Sequence, residues 1–438
     1  MKKQILTFSF FCFFLFPLNS QTVWTLEDCI RFALSHHYQI QHSQINSSIA
    51  KTQERIVKNS RLPYISSDLD QFVSFGQSPS HNGLYLDDNS YSMNLNLDFS
   101  MPLFSSMEFY WQNRTARQEC LAADYQTETI KYDMVFNIIS LYLQCVCQKE
   151  INAYTEQLFI HTEEQCVKME TLFALGKVSE KEMLECRSQL SAVKVEMISA
   201  KYQFELLLLQ LCQQINKQDS VPIDIPFIAD IQNCYLEIKP SLETIFEYAS
   251  QHDPAVLTAK AQLAKYGCLL QQQQSAALPK LQLVANYCNG YYAYPTIGND
   301  LLWQQMKHNG RFSIGLGLCV PIMNRKETSC ALQELKFKQN QAAINLKQTE
   351  TQLWFSIKQC YLKYESAKEK FLACDTNYRT ALKVYEHVTA CYEMKKITIF
   401  EYHNCQMQTF HANVERLKAF GEYLFYGKML DLYEGKVL

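Results

Sequence analysis

One unit is written twice in this chain, with its landmarks 216 to 219 residues apart. In the first copy Leu26-Glu27 open a helical stretch, Leu62-Pro63 end it, and Pro102 closes a pair of strands. In the second copy Leu242-Glu243, Leu278-Pro279 and Pro321 do the same. Three extra residues in the second strand pair account for the change of offset. Downstream the register holds: Met134, Ile138, Leu141 and Cys145 recur as Leu353, Ile357, Cys360 and Tyr364, with the same 4-3-4 spacing. Solenoid repeats are far shorter than this. The pattern predicts a duplicated half-structure with internal pseudo-symmetry, rather than the two or three unrelated domains a chain of 438 residues has room for.

The N-terminus reads as a secretory signal over residues 1–20. Lys2 and Lys3 precede a Phe-rich apolar run, and Asn19-Ser20-Gln21 follow it, with cleavage expected near Ser20. That run is too short to span a bilayer, which takes about 20 apolar residues. No later apolar run reaches that length. An exported chain without a transmembrane helix is either water-soluble or a β-barrel, the other structure a membrane admits. A net charge of −3 argues against nucleic acid as a partner. Of 17 cysteines, none forms a Cys-x-x-Cys, and most stand singly in helical patterns. They are expected to be free and buried, as small apolar residues. His36, His37 and His42 have no carboxylate or thiol at ligand spacing, so neither a metal nor another cofactor is expected. No nucleophile constellation, phosphate loop or paired acid and base is present. No catalytic residue is assigned, and the chain is not expected to be an enzyme.

Each copy has four parts. A helix comes first, over 25–61 and 241–278; Thr25 with Asp28 has the form of a cap, and Asp253-Pro254 is a second start signal. A strand pair follows, over 64–102 and 280–321. Its clearest strand alternates without a break: Tyr91, Met93, Leu95, Leu97, Phe99 and Met101 against Ser92, Asn94, Asn96, Asp98 and Ser100. In the second copy Phe312, Ile314, Leu316, Leu318 and Val320 alternate with Ser313, Gly315, Gly317 and Cys319. Segments 76–90 and 290–310, rich in Gly, Pro, Asn, Asp and Ser, read as surface loops. Third is a very long helix. Residues 103–221 hold no proline and only Gly176, and 105–172 as one helix would be about 100 Å long. Such length without breakers implies coiled-coil-like packing. Fourth is a returning helix, over 180–217 and 400–432. Residues 218–240, with three prolines, link the copies.

The strands bear on the class. Ten or eleven residues, tilted by about 45°, reach about 25 Å, the height of the apolar band of an outer-membrane barrel. A soluble sheet packed on helices alternates as well. Four strands cannot close a membrane barrel, and an open edge cannot lie in lipid. If these strands enter a membrane, several chains share one barrel: two give eight strands, three give twelve.

With these features assembled, the chain resembles the TolC-like outer-membrane efflux family along essentially all of its mature length. The resemblance rests on Trp24-Thr25-Leu26-Glu27-Asp28-Cys29-Ile30 with Ala33-Leu34, and on Leu-Pro at 62–63 and 278–279. It rests also on Pro102-Leu103-Phe104 and Pro321-Ile322-Met323 after the strands, and on Leu175-Gly176-Lys177-Val178-Ser179 between long and returning helix. It implies an α+β membrane protein of duplicated half-units: a long coiled-coil-like α-helical barrel plus four β-strands per chain in a shared trimeric 12-stranded β-barrel. It further implies a homotrimer in the lipid of the Gram-negative outer membrane with a periplasmic extension. Such a trimer is a passive exit duct of a tripartite efflux or type I secretion system, served by a periplasmic adaptor and, through it, an inner-membrane pump. A periplasmic or surface coiled-coil stalk without a pore is the competing reading.

The resemblance also assigns sites. The turns at 173–179 and 392–398 would form the adaptor-binding tip, through Leu175, Gly176, Val178 and Ser179 in one copy and Met394, Lys395, Ile397 and Thr398 in the other. Gly176 suits a left-handed turn, and Ser179 or Thr398 suits a helix cap. Lys395 stands where the family pattern has glycine, which leaves the backbone of the second turn open. Tyr385, Glu386, Tyr392 and Glu393 are the candidates for a periplasmic gate. Ser92, Asn94, Asn96, Asp98 and Ser313 would line a wet barrel lumen.

Overall fold

The computed structural model describes residues 23–79, 85–87, 89–105, 107–217, 223–228, 240–293, 301–322 and 326–436. The expected signal over 1–20 and most of the linker over 218–240 lie outside these residues. The described chain divides into two compact units, one of 1–38, 133–242 and 358–438, the other of 39–132 and 243–357.

The elements follow the duplicated order. The first copy holds α1 (Leu26–His36), α2 (Tyr38–Asn59), β1 (Tyr64–Ser74), the short strands β2 (Gln77–Pro79) and β3 (Tyr85–Asp87), β4 (Ser90–Phe104), α3 (Glu108–Ala174) and α4 (Glu180–Ile215). The second holds α5 (Leu242–His252), α6 (Pro254–Ser275), β5 (Lys280–Ala293), α7 (Leu302–His308), β6 (Arg311–Cys319), α8 (Glu327–Glu393) and α9 (Ile399–Tyr433). Both long helices have 67 residues and start 219 apart. The residues that precede them, Met107 and Lys326, are also 219 apart, and both carry a positive φ, 70° and 62°. Duplication thus extends to single backbone conformations.

The local signals explain most boundaries. Thr25 and Asp28 form a reciprocal capping box at the start of α1. Asp253 accepts from the amides of Ala255 and Val256, with Pro254 at the first helical position. Three expectations need adjustment. The stretch over 25–61 is two helices, parted at His37, whose backbone is extended (φ −73°, ψ 128°). The segment over 76–90 carries the β2–β3 ribbon. The segment over 290–310 carries the end of β5 and the helix α7. Polar composition marked both segments as surface, but short polar elements lack the periodicity that would separate them from loop.

The unit of 39–132 and 243–357 contains the sheet, in the antiparallel order β1-β4-β5-β6. Its central pair, β4 with β5, comes from different copies: Phe99 faces Ala285 and Leu97 faces Tyr287. Lys280, at the foot of β5, is paired with Glu108 at the start of α3 at 2.5 Å.

The other unit is helical, and its core follows the apolar seam of the long helices. Ile138 and Cys145 are fully buried on α3, and Leu158, Val193 and Phe410 pack together from α3, α4 and α9. Gly421 lets α9 approach α3, because a Cβ there would collide with the Cys147 thiol. Residues 223–228 belong to this core. Ile223, Ile225 and Ile228 are buried, and Lys149 holds Asp224 at 2.7 Å and the Ile225 carbonyl at 2.5 Å. The fifteen cysteines among the described residues are free. Burial pushes the thiols of Cys29, Cys145, Cys147 and Cys360 up to about 12, which keeps them protonated and unreactive.

Candidate functional site

Two features carry functional geometry: the faces of the sheet and the turns between the long helices. On the sheet, strand register sorts side chains by chemistry. One face holds Ile65, Leu69 and Val73 of β1, Tyr91, Leu95, Leu97, Phe99 and Met101 of β4, Leu281, Leu283 and Tyr287 of β5, and Phe312, Ile314, Leu316 and Leu318 of β6. This face is uncovered along its margins: the four apolar side chains of β6 are 65–67% exposed. The opposite face is polar. Ser66, Asp98, Asn286 and Ser313 form one row across all four strands, and Asp68, Asn96, Cys288 and Arg311 form the next. Asn286 donates to Asp98 Oδ1 at 2.7 Å, and the Tyr292 hydroxyl donates to Asn94 Oδ1 at 2.9 Å.

All five residues expected to face a wet lumen therefore share this polar face. Asp68, Asp70, Asn286 and Arg311 join them. The alternation of Asp68 and Asp70 in β1 was a readable signal. β1 and β6 are the outermost strands of the sheet among the described residues.

The two turns have the same hydrogen bonds. After α3, Gly176 N donates to the Phe173 carbonyl (2.9 Å) and Lys177 N to that of Leu172 (3.0 Å), with Gly176 at φ 67°. This is a Schellman closure. After α8, Lys395 N donates to the Tyr392 carbonyl (2.9 Å) and Lys396 N to that of Cys391 (2.9 Å), with Lys395 at φ 57°. Ser179 and Thr398 then cap α4 and α9 in capping boxes with Glu182 and Glu401. Lysine thus adopts the backbone that glycine adopts in the first copy, which answers the question the sequence left open. A left-handed non-glycine residue costs about 1–2 kcal/mol. Lys395→Gly is accordingly expected to stabilise the second hairpin by about 1 kcal/mol, seen as slower amide exchange in the first turn of α9. Unchanged or faster exchange would contradict the strain.

Around the turns, Leu175 and Met394 are exposed, while Val178 packs on a cluster of Cys166, Met169, Cys186 and Ile399. Burial pushes the Cys186 thiol up to about 12. Ile397 is half-buried, and Glu386 and Glu393 are exposed. Tyr385 and Tyr392 are half-buried, and both meet Tyr402 of α9. The Tyr385 and Tyr402 hydroxyls lie 2.7 Å apart, Gln165 Nε2 of α3 donates to the Tyr402 hydroxyl at 2.8 Å, and the Tyr392 hydroxyl contacts Met169 Sδ at 3.7 Å. Tyr402 thereby joins α8, α9 and α3. Sequence reasoning missed it, because a core tyrosine carries no sign of its partners.

The next residue of the helix, His403, is also buried. Gln406 Oε1 can only accept, so His403 Nδ1–H donates to it (3.3 Å), and Nε2 is left without a partner in the structure. Burial lowers the histidine pKa from its usual 6.5, against smaller opposing contributions from Gln406 and Glu185. The unfolded chain then binds the proton more readily than the folded one. Stability of this unit is expected to fall as pH drops below about 6.5, and His403→Gln to flatten that fall. Denaturant midpoints between about pH 7.5 and 5.5 test this, and equal slopes for both proteins would count against it.

No group of three or more His, Cys, Asp or Glu residues placed to hold a metal occurs among the described residues. No helix of the described chain is long and apolar enough to cross a membrane.

A sheet with one uncovered apolar face and one polar face has the two-sided chemistry that a membrane barrel requires. Residues 29–216 match the family model described as outer membrane efflux protein. No curated protein sequence matches significantly. Solved structures with the same fold include CusC (13% identity, 93% of this chain and 91% of that one, TM-score 0.78). The Campylobacter jejuni CmeC outer membrane channel is another (17% identity, 94% and 86%, TM-score 0.77). So is the open state of the Neisseria gonorrhoeae MtrE outer membrane channel (15% identity, 94% and 88%, TM-score 0.75). Residues 29–216 are thus similar to the outer membrane efflux protein family, and the fold across the chain is that of these solved outer-membrane channels.

Proposed function

We propose that three copies of this chain close one twelve-stranded barrel in the outer membrane and serve as the passive exit duct of a tripartite efflux or type I secretion system. The observation that carries this is the sheet itself. It has an uncovered apolar face, a polar face, and outermost strands β1 and β6 that leave backbone groups for a neighbour to pair. In lipid those groups require partners. β6 of one copy beside β1 of the next supplies them, and threefold repetition closes the ring. The apolar face then meets lipid, and Ser92, Asn94, Asn96, Asp98 and Ser313 line water.

In this reading residues 1–20 are removed on export, and the half-units are 21–217 and 241–438, joined by 218–240. The turns bearing Leu175, Gly176, Val178 and Ser179, and Met394, Lys395, Ile397 and Thr398, meet a periplasmic adaptor. The adaptor couples the duct to an inner-membrane pump that supplies energy and selects cargo. Tyr385, Glu386, Tyr392 and Glu393 form the periplasmic constriction, with the two tyrosines held through Tyr402. The test is the native mass of the processed protein extracted in detergent from an outer-membrane fraction. A trimer from that fraction is expected. A water-soluble monomer would overturn the shared barrel and favour the poreless stalk.

A further inference from the structure

The helix α7 fills a place that a strand would ordinarily occupy. β6 pairs with β5 only as far as Arg311 opposite Cys288, and β5 continues to Ala293. Past that point the free side of β5 is met by side chains of α7 and its C-cap. The Gln305 amide reproduces a backbone pair: its Oε1 accepts from Tyr292 N and its Nε2 donates to Tyr292 O, both at 2.9 Å. Asn309 Nδ2 donates to Gly290 O and Asn289 Nδ2 to Met306 O, each at 2.7 Å. A helix fastened this way cannot turn its outer side inward. That side carries Trp303, 80% exposed, preceded by Leu301, 73% exposed. Lys307 follows Trp303 by four residues and shares its helix face, with His308 beside it.

Position gives this face its meaning. The apolar row of β6 ends at Phe312, three residues past the α7 C-cap, Asn309. On the same sheet face, Tyr91 and Tyr291 are in ring contact at this end (6.1 Å), and Tyr287 follows. At the far end the face is built from Leu281, Leu283, Leu316, Leu318, Phe99 and Met101. Tyrosine and tryptophan collect where lipid meets water, so the α7 end of the sheet has the chemistry of an interface. Basic side chains just beyond an aromatic belt face the phosphate layer of an anionic leaflet.

We propose that α7 is a membrane-surface anchor: Trp303 enters the interfacial layer, and Lys307 and His308 bind phosphate groups of lipid headgroups. The proposal rests on the barrel reading, because a sheet outside a membrane would give this face no leaflet to meet. It adds to that reading a lipid site and the device that holds it.

The test uses the full chain in vesicles of phosphatidylcholine alone or of phosphatidylcholine with lipid A. The emission of Trp303 is obtained by difference between the wild type and W303F. It is expected to be quenched by a nitroxide near the headgroup more than by one near the chain end, and to gain protection from aqueous acrylamide when lipid A is present. K307A is expected to weaken retention of lipid A by the detergent-solubilised protein roughly fivefold, about the effect of one basic residue at an anionic surface. Emission quenched by acrylamide alone, in protein that has entered the vesicles, would overturn the anchor and leave the barrel standing. Emission shielded from every quencher would place Trp303 against a second copy of the chain and also overturn it. Failure to enter the vesicles would overturn barrel and anchor together.

Discussion

In the barrel proposed above, Ile314→Arg is expected to strip this protein from the outer membrane, while Ser313→Arg, one residue earlier, leaves it there. The two positions are neighbours on β6 and lie on opposite faces. Ile314 faces Ala285 on the apolar side and is 66% exposed, whereas Ser313 faces Asn286 in the row that contains Asp98. Arginine on the lipid side of a barrel strand costs about 2–4 kcal/mol near the midplane, and a shared barrel meets that cost once per chain. Arginine at 313 instead enters a polar row with a carboxylate close by. Fractionation and native mass of the two variants provide the measurement. Normal trimers of Ile314→Arg in the outer membrane would end the lipid-facing assignment of β6. Loss of both variants alike would mean that the strand tolerates no bulk, and would leave the faces unassigned.

Tyr402→Ala is expected to loosen the second helical hairpin from the first. Tyr402 is 4% exposed, its ring stacks on Tyr392 at 4.9 Å, and its hydroxyl meets both Tyr385 and Gln165. Truncating a buried aromatic side chain costs about 3–5 kcal/mol. The change would also strand Gln165, whose Oε1 already lacks a partner in the structure. Tyr402→Phe keeps the ring and removes only the hydroxyl, for about 1–3 kcal/mol. Limited proteolysis at Lys395 and Lys396 should accelerate strongly in the alanine variant and modestly in the phenylalanine variant. If the turns constrict the duct, single-channel conductance should rise in the same order. Equal protection of all three proteins would mean that Tyr402 does not hold the hairpins together.

Much of this architecture could be read before any coordinates. Leu-Pro at two positions 216 apart, and 4-3-4 apolar spacing at two positions 219 apart, specify a duplicated unit, because each reports backbone geometry that must recur when a fold recurs. Alternation over 91–101 identified a strand and sorted its faces, since successive side chains of a strand point to opposite sides. The turns were legible through Gly176, Ser179 and Thr398. Lys395 was not, because a lysine carries no sign of a left-handed backbone. Only the hydrogen bonds around it, laid over those of the first copy, reveal that conformation. The helix α7 was equally hidden. Seven residues are too few for helical periodicity to show, and its stability comes from Gln305, Asn309 and Asn289 bonding to a strand.

By itself the sequence determined the duplicated order of elements, the two long helices, the faces of the clearest strands and the family resemblance, because these depend on local period and spacing. Tertiary structure alone decided that β4 and β5, from different copies, pair at the centre of the sheet, that Tyr402 ties three helices together, and that α7 completes the side of β5. Each of these joins residues distant in sequence, and which distant groups meet is set by the packing of the whole chain, which no local pattern encodes.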